Sequence, residues 1–253
     1  MSRRLLYRSA FWEIARPRHP LTAGHVLLRL SDPSTEFAYP SAIDWLLCYN
    51  LARAAMRDVL GVARCTIMFS YRWHPLGGAI GEPVAESSTP TFHLFGRGPG
   101  ETSTPGHQLL LPAHRRVGEP LERLEATDDA IRDALVRARP AATAPLPDGV
   151  GTAVEPILDP GGLVESTGAG RNHAVIQPIR AVGSIAEVSP AELLAMGAAL
   201  GSLSLAGGLS GFSCLAPDNG ATVRVHALGR SAAEEANPLE SLLCSPEVSL
   251  ALL

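Results

Sequence analysis

The sequence predicts an α+β fold of two tandem units, antiparallel sheets that each carry one long packed helix, joined as a pseudo-dimer. Three observations predict it. A short apolar strand, an amphipathic helix, a second strand, a loop and a closing strand follow one another twice in the same order. Both copies end in His-x-x-Gly-Arg, at His93 to Arg97 and at His226 to Arg230. The composition is that of a folded globular chain, 46% apolar and 18% charged over 253 residues, long enough to bury a sizeable core.

The first unit opens at Thr22-Ala-Gly-His-Val-Leu-Leu-Arg-Leu30, an apolar run short enough for a strand. A helix is predicted over 41–60. Leu47, Leu51, Ala54, Ala55 and Val59 recur at three- and four-residue steps, so they share one face, and Gly61 ends the pattern. Cys65 to Phe69 is the next strand. A loop rich in Gly, Pro and Ser runs from His74 to Pro90, and Thr91 to Arg97 closes the unit.

An irregular segment follows. It holds one helix, expected to be capped by Thr127, with Asp128 and Asp129 in the first turn where acidic groups suit the helix dipole, and stopped by Pro140. A hairpin is expected next, Val154 to Leu158 and Leu163 to Glu165 flanking Pro160-Gly-Gly162. The second unit opens at Arg171 to Pro178. Its helix has Ser189 as N-cap, Pro190 in the first helical position and Glu192 completing a capping box. Leu193, Leu194, Met196, Ala199, Leu200 and Leu203 form its apolar face. A strand at Phe212 to Leu215, a turn at Asp218-Asn219-Gly220 and a strand from Thr222 to Arg230 complete the unit. The chain therefore divides into unit one (1–105), a connecting segment with a helix (106–147), unit two (148–235) and a tail (236–253). The tail's apolar end can dock on the core or on a partner chain, which leaves a homodimer open.

Composition removes several chemistries. The chain has no lysine, and all 21 basic side chains are arginine. A Schiff-base lysine and a Walker A loop are excluded. A net charge of −4 gives no electrostatic reason to expect nucleic acid. Arginine-only basicity with abundant Ala, Gly and Pro suggests a GC-rich bacterial genome. Cys48, Cys65, Cys214 and Cys244 are widely spaced, so neither a zinc ribbon nor a disulfide framework is expected. The charged start is unlike a signal peptide, and no apolar run reaches the roughly 18 residues of a membrane span. These features point to a soluble cytoplasmic protein with reduced thiols, no membrane partner and no cofactor. His74, His93, His107 and His114 show no diagnostic ligand spacing, so no metal is expected. Gly-x-Ser-x-Gly does not occur.

The Gly24-His25-Val-Leu-Leu28 strand, the helix, the loop and the His93-Leu-Phe-Gly-Arg97 strand together resemble the histidine triad superfamily. Two copies in tandem, with Asn172-His173-Ala-Val-Ile176 and His226-Ala-Leu-Gly-Arg230 in the second, resemble its galactose-1-phosphate uridylyltransferase branch. The family's last strand reads His-x-His-x-His-x-x-(Pro/Gly)-Arg, and its middle histidine is the nucleophile. Counted back from each arginine, that position is Thr91 in unit one and Arg224 in unit two. The first position is Thr89 and then Thr222. Only the last histidine is present in each copy.

The resemblance implies a pocket near the final strand and the glycine loop, for a small-molecule substrate such as a nucleotide. Gly77, Gly78 and Gly81 would let backbone N–H groups approach a phosphate. Arg72, Arg97 and Arg230 can clamp it, Trp73 can stack on a ring, and Thr91 and Arg224 occupy the vacated nucleophile positions. His93 and His226 are the candidates for acid–base or nucleophilic work. The same residues have plainer roles, as turn glycines, solvated arginines and a packing tryptophan. The expected function is nucleotidyl transfer or phosphoester or phosphoanhydride cleavage by a diverged enzyme, with unit two mainly a scaffold. Two alternatives stay open: a repurposed fold doing non-nucleotide acid–base chemistry, as an isomerase, cyclase or lyase, and a noncatalytic binder of a nucleotide or a protein.

Overall fold

The computed structural model describes residues 4–72, 91–99, 108, 111, 115, 120–138, 160–170 and 172–231. Its strands are β1 (Arg4–Arg8), β2 (Trp12–Arg16), β3 (His25–Leu30), β4 (Arg64–Tyr71), β5 (Thr91–Arg97), β6 (Val164–Gly170), β7 (His173–Pro178), β8 (Gly211–Asp218) and β9 (Val225–Arg230). Three long helices join them, α1 (Tyr39–Leu60), α2 (Leu121–Ala138) and α3 (Pro190–Gly207).

The two expected sheets are one. The nine strands run in the order β1-β2-β3-β5-β4-β8-β9-β7-β6. From the central β4–β8 pair outward the order is the same on both sides, β5, β3, β2 on one and β9, β7, β6 on the other. The register has the same symmetry. Aligning the glycines that end α1 and α3, Gly61 and Gly208, sets Cys65 against Phe212 and Tyr71 against Asp218. The observed pairs Cys65↔Asp218 and Tyr71↔Phe212 then exchange. A pseudo-twofold axis therefore passes between Met68 and Leu215, which face each other.

Alternation along the strands sorts the two faces. Leu28, Ile67, Leu94, Cys214 and Ala227 join the core under the helices. Leu27, Met68, His93 and Leu215 point to the other face and are also buried.

The charged N-terminus forms a hairpin, which the sequence reading did not expect. Asp44 of α1 anchors it, accepting from Ser9 Oγ and from the Phe11 N–H at 2.7 Å each. Trp12 adds a bond from Nε1 to the Ser41 carbonyl at 2.8 Å. α1 starts slightly earlier than expected and ends as expected, with Gly61 in the left-handed region at φ 66°. α3 has the predicted capping box of Ser189 and Glu192 with Pro190 at its start.

Other expectations need correction. α2 begins at Leu121, before Thr127, which donates inside the helix to the Arg123 carbonyl at 2.8 Å. Asp128 is not a dipole partner at the start but a buried mid-helix carboxylate. Pro160–Leu163 is a helical turn, and the strand after it pairs with β7. The expected strand at 154–158 and the tail from 232 lie outside the described residues. α3 is long and apolar enough, by length and composition, to cross a membrane, a test that core helices also pass. Here Ala195, Met196, Ala199 and Leu200 are buried in the core.

Candidate functional site

The two Gly-Arg endings have a packing cause. The Gly96 N–H donates to the Gly24 carbonyl at 2.9 Å, and the Gly229 N–H to the Asn172 carbonyl at 2.7 Å. A Cβ on Gly24 would stand 2.3 Å from the Gly96 oxygen, so this crossing of strands needs glycine. The carbonyls of Arg97 and Arg230 accept from Ala63 and Ser210 at 2.9 and 2.8 Å, closing the end of each helix–strand turn in the same way. Both arginine side chains are buried rather than solvated.

The same crossing brings each opening histidine onto the closing one. His25 Nε2 lies 3.2 Å from His93 Nδ1. His173 Nε2 lies 3.3 Å from His226 Nδ1. Both pairs are on the face opposite the helices, and the axis relates them. In register His93 faces Met68, Met68 faces Leu215, and Leu215 faces His226. Three strand spacings put the two closing histidines about 14 Å apart.

Protons can be assigned in unit one. The Leu21 N–H donates to His25 Nδ1 at 3.2 Å, so that nitrogen is an acceptor. Burial above all, then the neighbouring His93 and Arg16, holds the His25 pKa well below 6.5. A neutral ring with an accepting Nδ1 carries its proton on Nε2 and donates it to His93 Nδ1. Neutral His93 then carries its own proton on Nε2. Arg16 fixes the backbone beneath. Its Nη1 donates to the Ala23 and His25 carbonyls at 2.6 and 2.7 Å, and its Nε to Asp128 Oδ1 at 2.8 Å.

Of the remaining expected residues, the described ones stand on different strands, Arg72 after β4, Thr91 at the start of β5 and Arg224 just before β9. Trp73, Gly77, Gly78 and Gly81 lie outside the described residues, as do His74, His107 and His114. Arg72, exposed and at φ 52°, sits 5.4 Å from the Tyr71 ring centre. Tyr71 pairs with Phe212, which joins the core under the helices, so Arg72 follows a residue of the helix face. Thr91 is half-buried opposite Arg29. Arg224 is exposed and donates from Nε to Gln177 Oε1 at 3.0 Å.

Sequence reasoning named His25 and His173 as strand markers and missed them as partners. It also missed Arg16, whose only signal was an arginine inside an apolar strand pattern, and the Glu13–Arg29 ion pair at 2.7 Å. Under the helices it missed Tyr49, which donates its hydroxyl to Asp218. Ser184 Oγ also donates to Asp218, at 3.1 Å, and Arg53 lies 3.6 Å away, so this cluster ties α1 to unit two. A hollow of about 360 Å³ opens beside unit two, lined by Ser166, Asn172, His173, Leu203, Leu209 and Phe212 among others.

No family model matches the sequence, and neither does any curated protein. Among solved structures the chain is similar to a Hit-like protein involved in cell-cycle regulation from Bartonella henselae, at 15% identity and a TM-score of 0.38, over 53% of this chain and 88% of that one. It is similar to a hypothetical histidine triad nucleotide-binding protein from Sulfolobus tokodaii, at 11% identity and a TM-score of 0.38, over 54% and 86%. It is also similar to a galt-like protein from Arabidopsis thaliana, at 9% identity and a TM-score of 0.47, over 94% and 82%. In each unit a strand, a long helix, a strand and a closing strand follow in the predicted order, and the strands pair in one sheet.

Proposed function

We propose that the chain binds a phosphate-bearing small molecule, with nucleotides the first class to test, on the face that carries the histidine pairs, and acts on it by acid–base chemistry. The observation that carries this reading is the pairing itself. Contacts of 3.2 and 3.3 Å recur at equivalent register positions about the pseudo-twofold axis. A ring held by a second ring keeps a defined proton on its outer nitrogen, which is what a general acid or base requires.

Covalent transfer through the chain has less support. Thr91 and Arg224 stand where the family carries its nucleophile. A threonine hydroxyl needs an adjacent base, and the residue opposite Thr91 is Arg29. An arginine does not act as a nucleophile at all. Cleavage of a phosphoester or phosphoanhydride by water, with a histidine moving the proton, is the version the residues favour. A noncatalytic binder is the second reading, favoured by the same two replacements. A cytoplasmic setting is supported by Cys48, Cys65 and Cys214, all free thiols.

The test is a thermal-shift panel of nucleotides, dinucleoside polyphosphates and nucleotide sugars on the wild type, His93→Ala and His226→Ala. A ligand at 100 times its Kd should stabilise the chain by about 2.7 kcal/mol. A shift accompanied by turnover that either substitution abolishes supports the enzyme. A shift without turnover supports the binder. No shift with any member overturns the reading and points to a non-nucleotide substrate.

A further inference from the structure

We infer that the half-site of unit two, not that of unit one, takes the ligand, and that Arg224 holds its anionic group beside His226. This rests on the reading above and names the part of that face which does the work. It reverses the expectation that unit two is mainly a scaffold.

Two equivalent cross-strand rows differ between the units. In unit one the row is Glu13, Arg29 and Thr91 on β2, β3 and β5. In unit two it is Glu165 and Gln177 on β6 and β7, then Arg224 at the foot of β9, placed opposite Gln177 by the Ile176↔Val225 register. Each row holds one carboxylate and one guanidinium. The guanidinium has moved one strand between the copies.

That displacement changes what the charge can do. In unit one the guanidinium is next to the carboxylate. Arg29 bonds Glu13 through Nε at 2.9 Å and pairs with it through Nη2 at 2.7 Å, and Arg8 takes the other carboxylate oxygen. Glu13 is buried, so this pair is already satisfied and partly sealed. In unit two a neutral amide stands between the charges. Gln177 donates to Glu165 and accepts from Arg224 Nε at 3.0 Å, so both ends of the amide are fixed. The Nε bond is the one hydrogen bond the described residues give this guanidinium. Its two Nη groups, the fork that matches a pair of oxyanion oxygens, face no carboxylate among the described residues.

Access favours the same half. His25 is 0% exposed and His93 3%. His173 and His226 are half-buried. Arg224 and His226 lie two residues apart along one strand direction, about 7 Å. An oxyanion on Arg224 therefore stands one group away from the histidine pair. The ligand class is a small mono- or diphosphate ester.

The experiment is isothermal titration of inorganic pyrophosphate and of ADP into the wild type, Arg224→Gln, Arg224→Lys, Arg29→Gln and His93→Ala, at low and at high salt. Because Arg224 is exposed, its variants should keep the wild-type Tm. Arg224→Gln should lose about tenfold or more in affinity and most of the salt dependence, with Arg224→Lys between. Arg29→Gln should bind as the wild type does, even where its Tm falls. If Arg224→Gln binds like the wild type while Arg29→Gln or His93→Ala loses binding, the site is in unit one; the inference fails and the proposed function stands. If the wild type binds neither probe and no nucleotide of the panel, the proposed function itself fails, and the inference with it.

Discussion

Replacing Asp128 by alanine tests the link between α2 and the site. The Arg16–Asp128 pair is 2.8 Å long, and both side chains are 1% exposed. Arg16 cannot follow its partner out, because its Nη1 also holds the Ala23 and His25 carbonyls. The substitution therefore removes the Asp128 carboxylate from a guanidinium in a site closed to water. Removing one partner of a buried pair costs about 3–5 kcal/mol. For a chain of this size that is a Tm lower by roughly 6–20 °C. The assay is urea unfolding followed by circular dichroism, with Asp128→Asn and the double variant Arg16→Met/Asp128→Leu alongside. Asn keeps an acceptor and should lose less. The double variant removes both charges and should recover part of the loss. A loss below about 1 kcal/mol in Asp128→Ala, the range of exposed pairs, would refute the claim that this pair is sealed.

Three further predictions follow from single observations. The His25 pKa is lowered by burial first, then by His93 and Arg16, so the folded chain refuses a proton that the unfolded chain accepts below 6.5. Stability should fall as pH drops below that value, by up to about 1.4 kcal/mol per pH unit until the folded ring also protonates; urea midpoints of the wild type and His25→Gln with equal pH slopes would contradict this. Gly24→Ala drives a Cβ onto the backbone oxygen of Gly96, whereas Gly229→Ala meets first the movable end of Leu209, each at 2.3 Å. The first should cost about 1–3 kcal/mol and the second less, and equal losses in denaturant would count against the strand-crossing argument. Burial pushes the Cys48 and Cys65 thiols up to about 12 and raises Cys214 as well, so the native chain should expose at most one of its four thiols to a thiolate reagent at mild pH; rapid titration of two or more would show that the strands open.

Local signals in the chain were sufficient for α1, α3 and the strands that follow them. α3 was readable because Ser189, Pro190 and Glu192 carry their capping function within four residues. The end of α1 was readable because Gly61 is the residue that tolerates a left-handed turn. β1 and β2 were not readable, since the bonds that hold their hairpin run from Ser9 and Trp12 to Asp44 and Ser41 of α1, 35 and 29 residues away in sequence. α2 was misplaced for a related reason. Thr127 and Asp128 look like a helix start when read locally, but Asp128 answers Arg16, far away in sequence.

The sequence by itself determined the repeat, because the order of strand, helix, strand and strand and the His-x-x-Gly-Arg endings are local patterns. It also excluded a Schiff-base lysine and a Walker A loop, because the chain has no lysine. Only the tertiary structure decided that the two sheets fuse through β4 and β8, and that His25 meets His93 and His173 meets His226. Only it decided which guanidinium is spent on a carboxylate. Those relations depend on register between strands, and register is set by burial and backbone pairing across the whole sheet. Thr91 and Arg224 hold the same place in the sequence, counted back from the two His-x-x-Gly-Arg endings. In the fold one faces an arginine already neutralised by Glu13, and the other carries its own charge to the surface on a glutamine.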